Sequence, residues 1–344
     1  MWLRFRGVGW KPSVAYFKHN PSKELSRLEK DLREGTYKEQ KSKTFKIFIP
    51  KHRTIKSIRI RDRIYQGSLY DGALYPQTTR SFIPNNLACQ RGKGTELARK
   101  RFAELIRKAY RKHGTKFYFM KCDIKGYYSN IDHEISIKEL NKYIDDISAE
   151  MADRILEGEP GDKGYFPGSP IVQILGVTLL NRLDHVIKEQ LRVRYYIRYM
   201  DDFILLHQDK EYLKDCKNKI ESELARLKLN LNQKKTYIAP ITQGIRFLGF
   251  DHRLTATGKV VILADPKKIK NERILLRRMV HKALRGEIPK EQADCHFKCW
   301  LNSITYGNSF KIIQRMRKYY KSLWEEKLND HHQIETVTRR SQGQ

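Results

Sequence analysis

Two adjacent carboxylates, Asp201 and Asp202, sit inside Arg198-Tyr199-Met200-Asp201-Asp202-Phe203-Ile204-Leu205-Leu206. Apolar and aromatic residues on both sides read as a strand, a tight turn and a second strand. Neighbouring buried carboxylates repel one another and resist ionisation unless a cation neutralises them. Mg²⁺ is the natural neutraliser, because it takes carboxylate oxygens, keeps positions open for phosphate oxygens and, as a pair of ions, supports in-line attack on a triphosphate. An Asp-Asp pair alone is more often an exposed hairpin turn, so the elements around it must decide.

A third carboxylate, Asp123, closes the aromatic-rich stretch Lys116-Phe117-Tyr118-Phe119-Met120-Lys121-Cys122-Asp123-Ile124, which predicts a strand. Gly126-Tyr127-Tyr128 then turns toward a helix. A ring there could floor a nucleotide site or pack in the core, and Tyr127 is assigned to the core. Gly161, Gly164, Pro167, Gly168 and Pro170 form a loop ahead of a helix predicted over 171–191, where Ile174, Leu175, Leu179, Leu183 and Val186 recur at helical spacing. After the Asp-Asp hairpin come an amphipathic helix over 210–227, a segment carrying Lys235 and a short hairpin around Phe247-Leu248-Gly249-Phe250. The stretch 266–327 is helical in pattern and very basic, and 329–344 is polar enough to predict disorder.

Upstream, residues 1–40 predict a helix over 23–32 that leads into the fold. Phe45-Lys46-Ile47-Phe48-Ile49-Pro50 alternates like a strand, and Ile55, Ile58, Ile60 and Ile64 extend that pattern through Lys51, His52, Arg53, Lys56, Arg59, Arg61 and Arg63. Such a density of cations favours phosphate contact over a merely solvated strand surface. A helix is predicted over 95–113, preceded by Gly92-Lys93-Gly94-Thr95. That stretch is not a P-loop, because Gly follows the Lys and no Gly precedes it at the required distance. Helix amides beside Lys93 could still meet a phosphate.

The chain has 344 residues, enough for two or three packed subdomains, and carries a formal charge of +30 spread over its length. A polyanion engaged along an extended surface follows, and nucleic acid fits best. An anionic membrane is disfavoured by the lack of a basic amphipathic helix, a lipidation motif or a spanning apolar run. The first seven residues lack the apolar region of a signal peptide. With five irregularly spaced cysteines, this predicts a reduced, cytoplasmic setting. Cys295-His296-Phe297-Lys298-Cys299 offers three metal ligands without a fourth at zinc-like spacing, so structural thiols are expected.

This order of pieces, across about residues 35–330, resembles the reverse transcriptases. Residues 119–133 look like motif A, 164–184 like motif B, 199–202 like motif C, Lys235 like motif D and 247–250 like the primer grip. The resemblance implies an α+β right-hand polymerase whose palm is an antiparallel sheet backed by helices. Its implied parts are an N-terminal extension (1–40), fingers (41–115), a palm (116–255), a helical thumb (256–328) and a disordered tail (329–344). Asp123, Asp201 and Asp202, with the backbone of Ile124, would hold two Mg²⁺ ions, or Mn²⁺ in their place. Lys235 either protonates the leaving pyrophosphate or is a surface lysine. Tyr128 falls where the sugar 2′-hydroxyl is screened, and Arg53, Gly168 and Gln173 fall around the incoming deoxynucleoside triphosphate. Lys51, Arg61, Arg63, Lys93, Phe247, Leu248 and Gly249 would touch nucleic acid, with a structured template RNA and its cDNA as partners and room for an accessory protein subunit.

Within the family, Asp62-Arg63-Ile64-Tyr65-Gln66, the run from Ala88 to Thr95 and the run from Trp300 to Asn308 most resemble the bacterial enzymes of diversity-generating retroelements. Retron, group II intron and anti-phage defence reverse transcriptases are similar in the palm. The subgroup's motif B has an aliphatic residue before the Gly and Ser-Gln after it. Here Pro167 and Val172 replace the aliphatic residue and the Ser, while Gly168 and Gln173 are kept. A non-catalytic, maturase-like RNA-binding protein is the rival from another class, and the presence of all three carboxylates argues against it.

Overall fold

The computed structural model describes residues 9–48 and 53–341. Contacts divide the chain into two compact units, Met1–Leu105 with Phe117–Ala239, and Ile106–Lys116 with Pro240–Gln344. Among the described residues no helix is long and apolar enough to cross a membrane.

The first unit opens with α1 (Pro12–His19) and α2 (Pro21–Arg33), each started by a proline that fixes φ for the first turn. An antiparallel hairpin follows, β1 (Lys43–Ile47) with β2 (Arg53–Ser57). The extended pattern predicted through Ile60 and Ile64 gives way to α3 (Ile60–Leu69), which continues through a π-helical turn (Tyr70–Leu74) into α4 (Tyr75–Thr79). The alternation of Arg and Ile imitates a strand. The segment is a helix because it is buried on most of its sides, with Ile64, Tyr65 and Leu69 in the core and Asp62 accepting from Tyr37 Oη (2.8 Å) and the Gln40 amide (3.0 Å). Burial lifts the pKa of that carboxyl above its ordinary value. The predicted helix over 95–113 is α5 (Thr95–His113), and the chain passes from one unit to the other within it.

The centre of the first unit is a four-stranded sheet in the order β4-β5-β3-β6, made of β3 (Tyr118–Asp123), β4 (Tyr195–Tyr199), β5 (Asp202–His207) and β6 (Tyr237–Pro240). Between β3 and β4 run α6 (Tyr127–Asn130), α7 (His133–Asn141), α8 (Asp146–Leu156), α9 (Pro170–Thr178) and α10 (Asn181–His185). The helix predicted over 171–191 is thus two helices and a π-helical turn (Val186–Gln190). Ser169 caps α9 by accepting from Ile171 N (3.1 Å) and Val172 N (3.4 Å), with Pro170 in its first turn. At its other end, the Val177 carbonyl accepts from the Arg198 guanidinium (3.2 Å). After β5, α11 (Lys210–Ala225) presses Leu213, Cys216, Ile220 and Leu224 into the core.

The second unit joins β7 (Ile245–Phe247), β8 (Phe250–Leu254) and β9 (Val260–Ala264) in an antiparallel sheet, followed by α12 (Pro266–Leu284), α13 (Lys290–Ile304) and α14 (Phe310–Ser341). The β7–β8 hairpin, expected at the end of the palm, groups with this unit because β8 pairs along its whole length with β9. Leu276, Val280, Phe297, Leu301, Met316 and Tyr320 form the helical core. α14 continues through 329–341, where the polar composition predicts disorder, and holds no Gly or Pro that would end it. Cys122 and Cys216 are buried, as core thiols should be, and Cys295 and Cys299 are exposed. His296 pairs with Glu272 at 2.8 Å, and among the described residues no three His, Cys, Asp or Glu side chains gather to hold a metal ion.

Candidate active site

β3 and β5 pair in a register that sets Asp123 directly opposite Asp202. β4 and β5 pair down to Tyr199 and Asp202, so the hairpin loop is Met200 and Asp201 alone. Met200 has φ 56°, which reverses the chain in two residues and brings Asp201 beside Asp202. The three carboxylate-bearing residues therefore stand at one end of the sheet, without their side chains being gathered as a ready-made ligand set. Below them, strand alternation gives a second feature, because Lys121 shares a face with Asp123. Its ammonium lies 3.4 Å from Asp202 Oδ2, while Asp202 Oδ1 is buried and accepts no hydrogen bond. The Asp202 carboxyl is raised to about 6, chiefly by burial, with Lys121 pulling it down and Asp201 and Asp123 adding to the rise.

Asp123 is held from the segment before β6. Lys235 Nζ donates to both of its oxygens (2.9 and 2.8 Å), and Asn232 Nδ2 donates to Oδ1 (3.2 Å). The backbone repeats this link, with Asn232 N donating to Asp123 O (2.7 Å) and Lys125 N to Asn230 O (2.9 Å) around a bridge between Ile124 and Leu231. Two ammonium groups thus each hold one of these carboxylates, Lys121 at Asp202 and Lys235 at Asp123. The orphaned buried oxygen of Asp202 and the all-oxygen chemistry of the three side chains suit a hard divalent cation, so these residue types fit the Mg²⁺ that the resemblance implies, though the side chains are not gathered around one point.

Tyr127 is 4% exposed and donates to the Gly176 carbonyl at 2.5 Å, in keeping with its assignment to the core. Tyr128 remains partly exposed, edge-on to Tyr127 with ring centroids 5.4 Å apart. Its hydroxyl pKa is raised by burial, then by Cys89 and Asp201, so the phenol stays protonated near the catalytic turn. Gly168 has φ 149°, and a Cβ there would collide with the Lys56 carbonyl; Lys56 N in turn donates to Pro167 O at 3.3 Å. The motif B loop is thereby docked on β2, which only glycine permits at that point. Gln173 is exposed on α9.

The remaining candidates separate. Arg53 begins β2, and Lys51 lies outside the described residues. Arg61 pairs with Asp31 and lies over the Tyr37 ring, 5.4 Å from its centroid. Lys93 donates to the carbonyls of Asn86 (2.9 Å) and Pro84 (3.3 Å), and burial lowers its pKa. Both cations are thus spoken for within the first unit, whereas Arg63 is half-buried beside Lys43, Arg59 and Trp10. In the second unit, Phe247 is fully buried, and Leu248 (φ 46°) with Gly249 (φ 84°) makes the turn between β7 and β8.

Sequence reasoning missed Lys121, Asn232 and a fully buried ion pair behind the catalytic turn. Arg198 Nε and Nη2 donate to Asp184 at 2.7 and 2.6 Å, and its Nη1 donates to the Met200 carbonyl (3.2 Å). Tyr196 Oη completes the cluster on Asp184 Oδ1 (2.6 Å). Lys121 was findable, two residues before Asp123 on the same face of a strand.

The profile of the reverse transcriptase (RNA-dependent DNA polymerase) family matches residues 40–252. No curated protein matches. Among solved structures, the apo telomerase of Candida tropicalis truncated from its C-terminal domain aligns at 16% identity and TM-score 0.49, over 65% of this chain and 55% of that one. The apo telomerase of Candida tropicalis aligns at 16% and 0.48, over 71% and 53%. Telomerase of Candida albicans in complex with a TWJ fragment of telomeric RNA aligns at 14% and 0.49, over 88% and 64%. The chain thus spans less than two thirds of each of these telomerase chains.

Proposed function

The chain belongs to the reverse transcriptase family, and from that premise we propose that it copies RNA into DNA by adding deoxynucleotides to a primer 3′-hydroxyl. The register that sets Asp123 against Asp202, with Asp201 in the adjoining two-residue turn, carries this reading. Two divalent cations, Mg²⁺ or Mn²⁺, would supply acidification of the 3′-hydroxyl and neutralisation of the triphosphate when bound. Asp123, Asp201 and Asp202 would hold them, with the Ile124 carbonyl completing the set. Lys235, whose side chain is 48% exposed, has room to swing from Asp123 to the leaving pyrophosphate and give it a proton. Tyr128 lies beneath the incoming sugar, Gly168 and Gln173 flank the base, and Arg53 holds the triphosphate. The turn at Leu248 and Gly249 steadies the primer.

The substrates are deoxynucleoside triphosphates and a structured template RNA, and the product is cDNA. The finer reading places the chain in a bacterial diversity-generating retroelement, supported by the sequence runs around Asp62, Cys89 and Trp300, and acting in the cytoplasm, where its five cysteines stay reduced. The test is primer extension on a defined RNA by the full chain. Asp201→Asn should slow extension at least on the order of a hundredfold with RNA affinity nearly unchanged, and undiminished extension sinks the polymerase reading. Errors concentrated at template adenine in the active protein would support the diversification role. A flat, low error spectrum would favour retron or defence enzymes.

A further inference from the structure

Behind the Tyr128 ring, α9 presents a residue with no side chain. A methyl group on Gly176 would lie 2.9 Å from Tyr128 Oη, 3.0 Å from Cε1 and 3.1 Å from Cζ. These separations are inside ordinary carbon contacts. Nothing in the backbone asks for glycine there, since Gly176 sits within a regular helix and is absent from the residues with positive φ. Glycine weakens a helix interior relative to alanine. Its presence in α9 is therefore a steric provision for the ring.

A second ring bounds it on another side. Tyr127 stands against it and, through its 2.5 Å bond to the Gly176 carbonyl, ties that turn of α9 to α6. The backbone of Tyr128 is fixed by the bond from Tyr165 N to its carbonyl (2.8 Å). With Tyr127 on one side and the backbone held, the partly exposed side is the open direction for a ring pushed off Gly176.

We propose that Gly176 is a positioning residue for sugar selection: lacking a Cβ, it lets the Tyr128 ring lie back against α9 and so sets the room left for the 2′ position of the incoming nucleotide. This rests on the reading of Tyr128 as the residue beneath that sugar. A Cβ at 176 raises the ring, tightens the exclusion of ribonucleotides and crowds the deoxynucleotide as well.

The test measures kcat/KM for a deoxynucleotide and its ribonucleotide on one primed RNA template, in the wild type, Gly176→Ala, Tyr128→Val and the double variant, with melting temperatures to check the fold. Tyr128→Val should relax discrimination by about tenfold or more, and Gly176→Ala should raise it by about threefold with a higher KM for the deoxynucleotide. In the Tyr128→Val background the alanine should have no effect, because the obstacle it moves is gone. Should Gly176→Ala fail to fold, Gly176→Ala with Tyr128→Phe, which removes the nearest contact, is compared with Tyr128→Phe alone. Unchanged discrimination in Tyr128→Val overturns the reading of Tyr128 itself. Relaxed discrimination in Tyr128→Val, with no change from Gly176→Ala or with an alanine effect that persists in the double variant, overturns the role of Gly176 and leaves that of Tyr128 standing.

Discussion

Lys235 meets Asp123 through both carboxylate oxygens, so in this arrangement an ammonium group and a divalent cation compete for the same lone pairs. The same side chain is the candidate proton donor to pyrophosphate. Removing it should therefore move two observables in opposite directions. In Lys235→Met, the Mg²⁺ concentration giving half-maximal extension should fall severalfold, since the competitor is gone. The saturated rate should drop by about tenfold or more, since the leaving group loses its acid. A magnesium titration of primer extension, with terbium luminescence as a binding readout independent of turnover, checks both. A higher magnesium requirement would show that Lys235 helps to assemble the site rather than guarding it.

The hairpin of β4 and β5 owes its shape to the polar cluster behind it. Asp184, Tyr196 and Arg198 have no exposed surface, and the guanidinium links the end of α9, the body of α10 and the Met200 carbonyl. Removing one partner leaves a buried charge alone, so Asp184→Leu or Arg198→Met should each cost about 3–5 kcal/mol. The combination Asp184→Leu, Tyr196→Phe and Arg198→Met, with no buried charge left, should recover most of that in urea unfolding. A triple variant as unstable as the singles would mean that the lost bonds to Val177 and Met200 dominate. None of this cluster could be read from the chain in one dimension. The strand–turn–strand around Asp201 could, because side-chain alternation and a two-residue turn are local, and so could Asp123 at the end of its strand. Lys235 stands 112 residues from Asp123, and Gly176 meets Tyr128 only through helix packing, so sequence spacing carries no trace of either contact. The helical start at Ile60 was hidden for a different reason, since alternating Arg and Ile satisfy a strand pattern and a buried helix alike.

Across the entire chain, the net charge of +30 is untouched by ion pairing, since each pair takes one charge of each sign, and most of the lysines and arginines of α12 and α14 face solvent among the described residues. RNA binding should accordingly weaken steeply with salt, by on the order of a thousandfold between roughly 50 and 200 mM if six or more phosphates are neutralised. A flat dependence in filter binding would mean that these cations do not meet phosphate. The division of α5 between the two units has a consequence of another kind, for biosynthesis. Ile106 and Ala109 are buried, and Tyr110 Oη bonds the Ala256 carbonyl (2.8 Å), so the second half of this helix finds its partners only after residue 240 has been made. At ordinary translation rates that interval lasts on the order of ten seconds. Throughout it, Ile106 and Ala109 lack the cover that they have in the finished second unit, so this half of the helix is the last part of α5 to be packed.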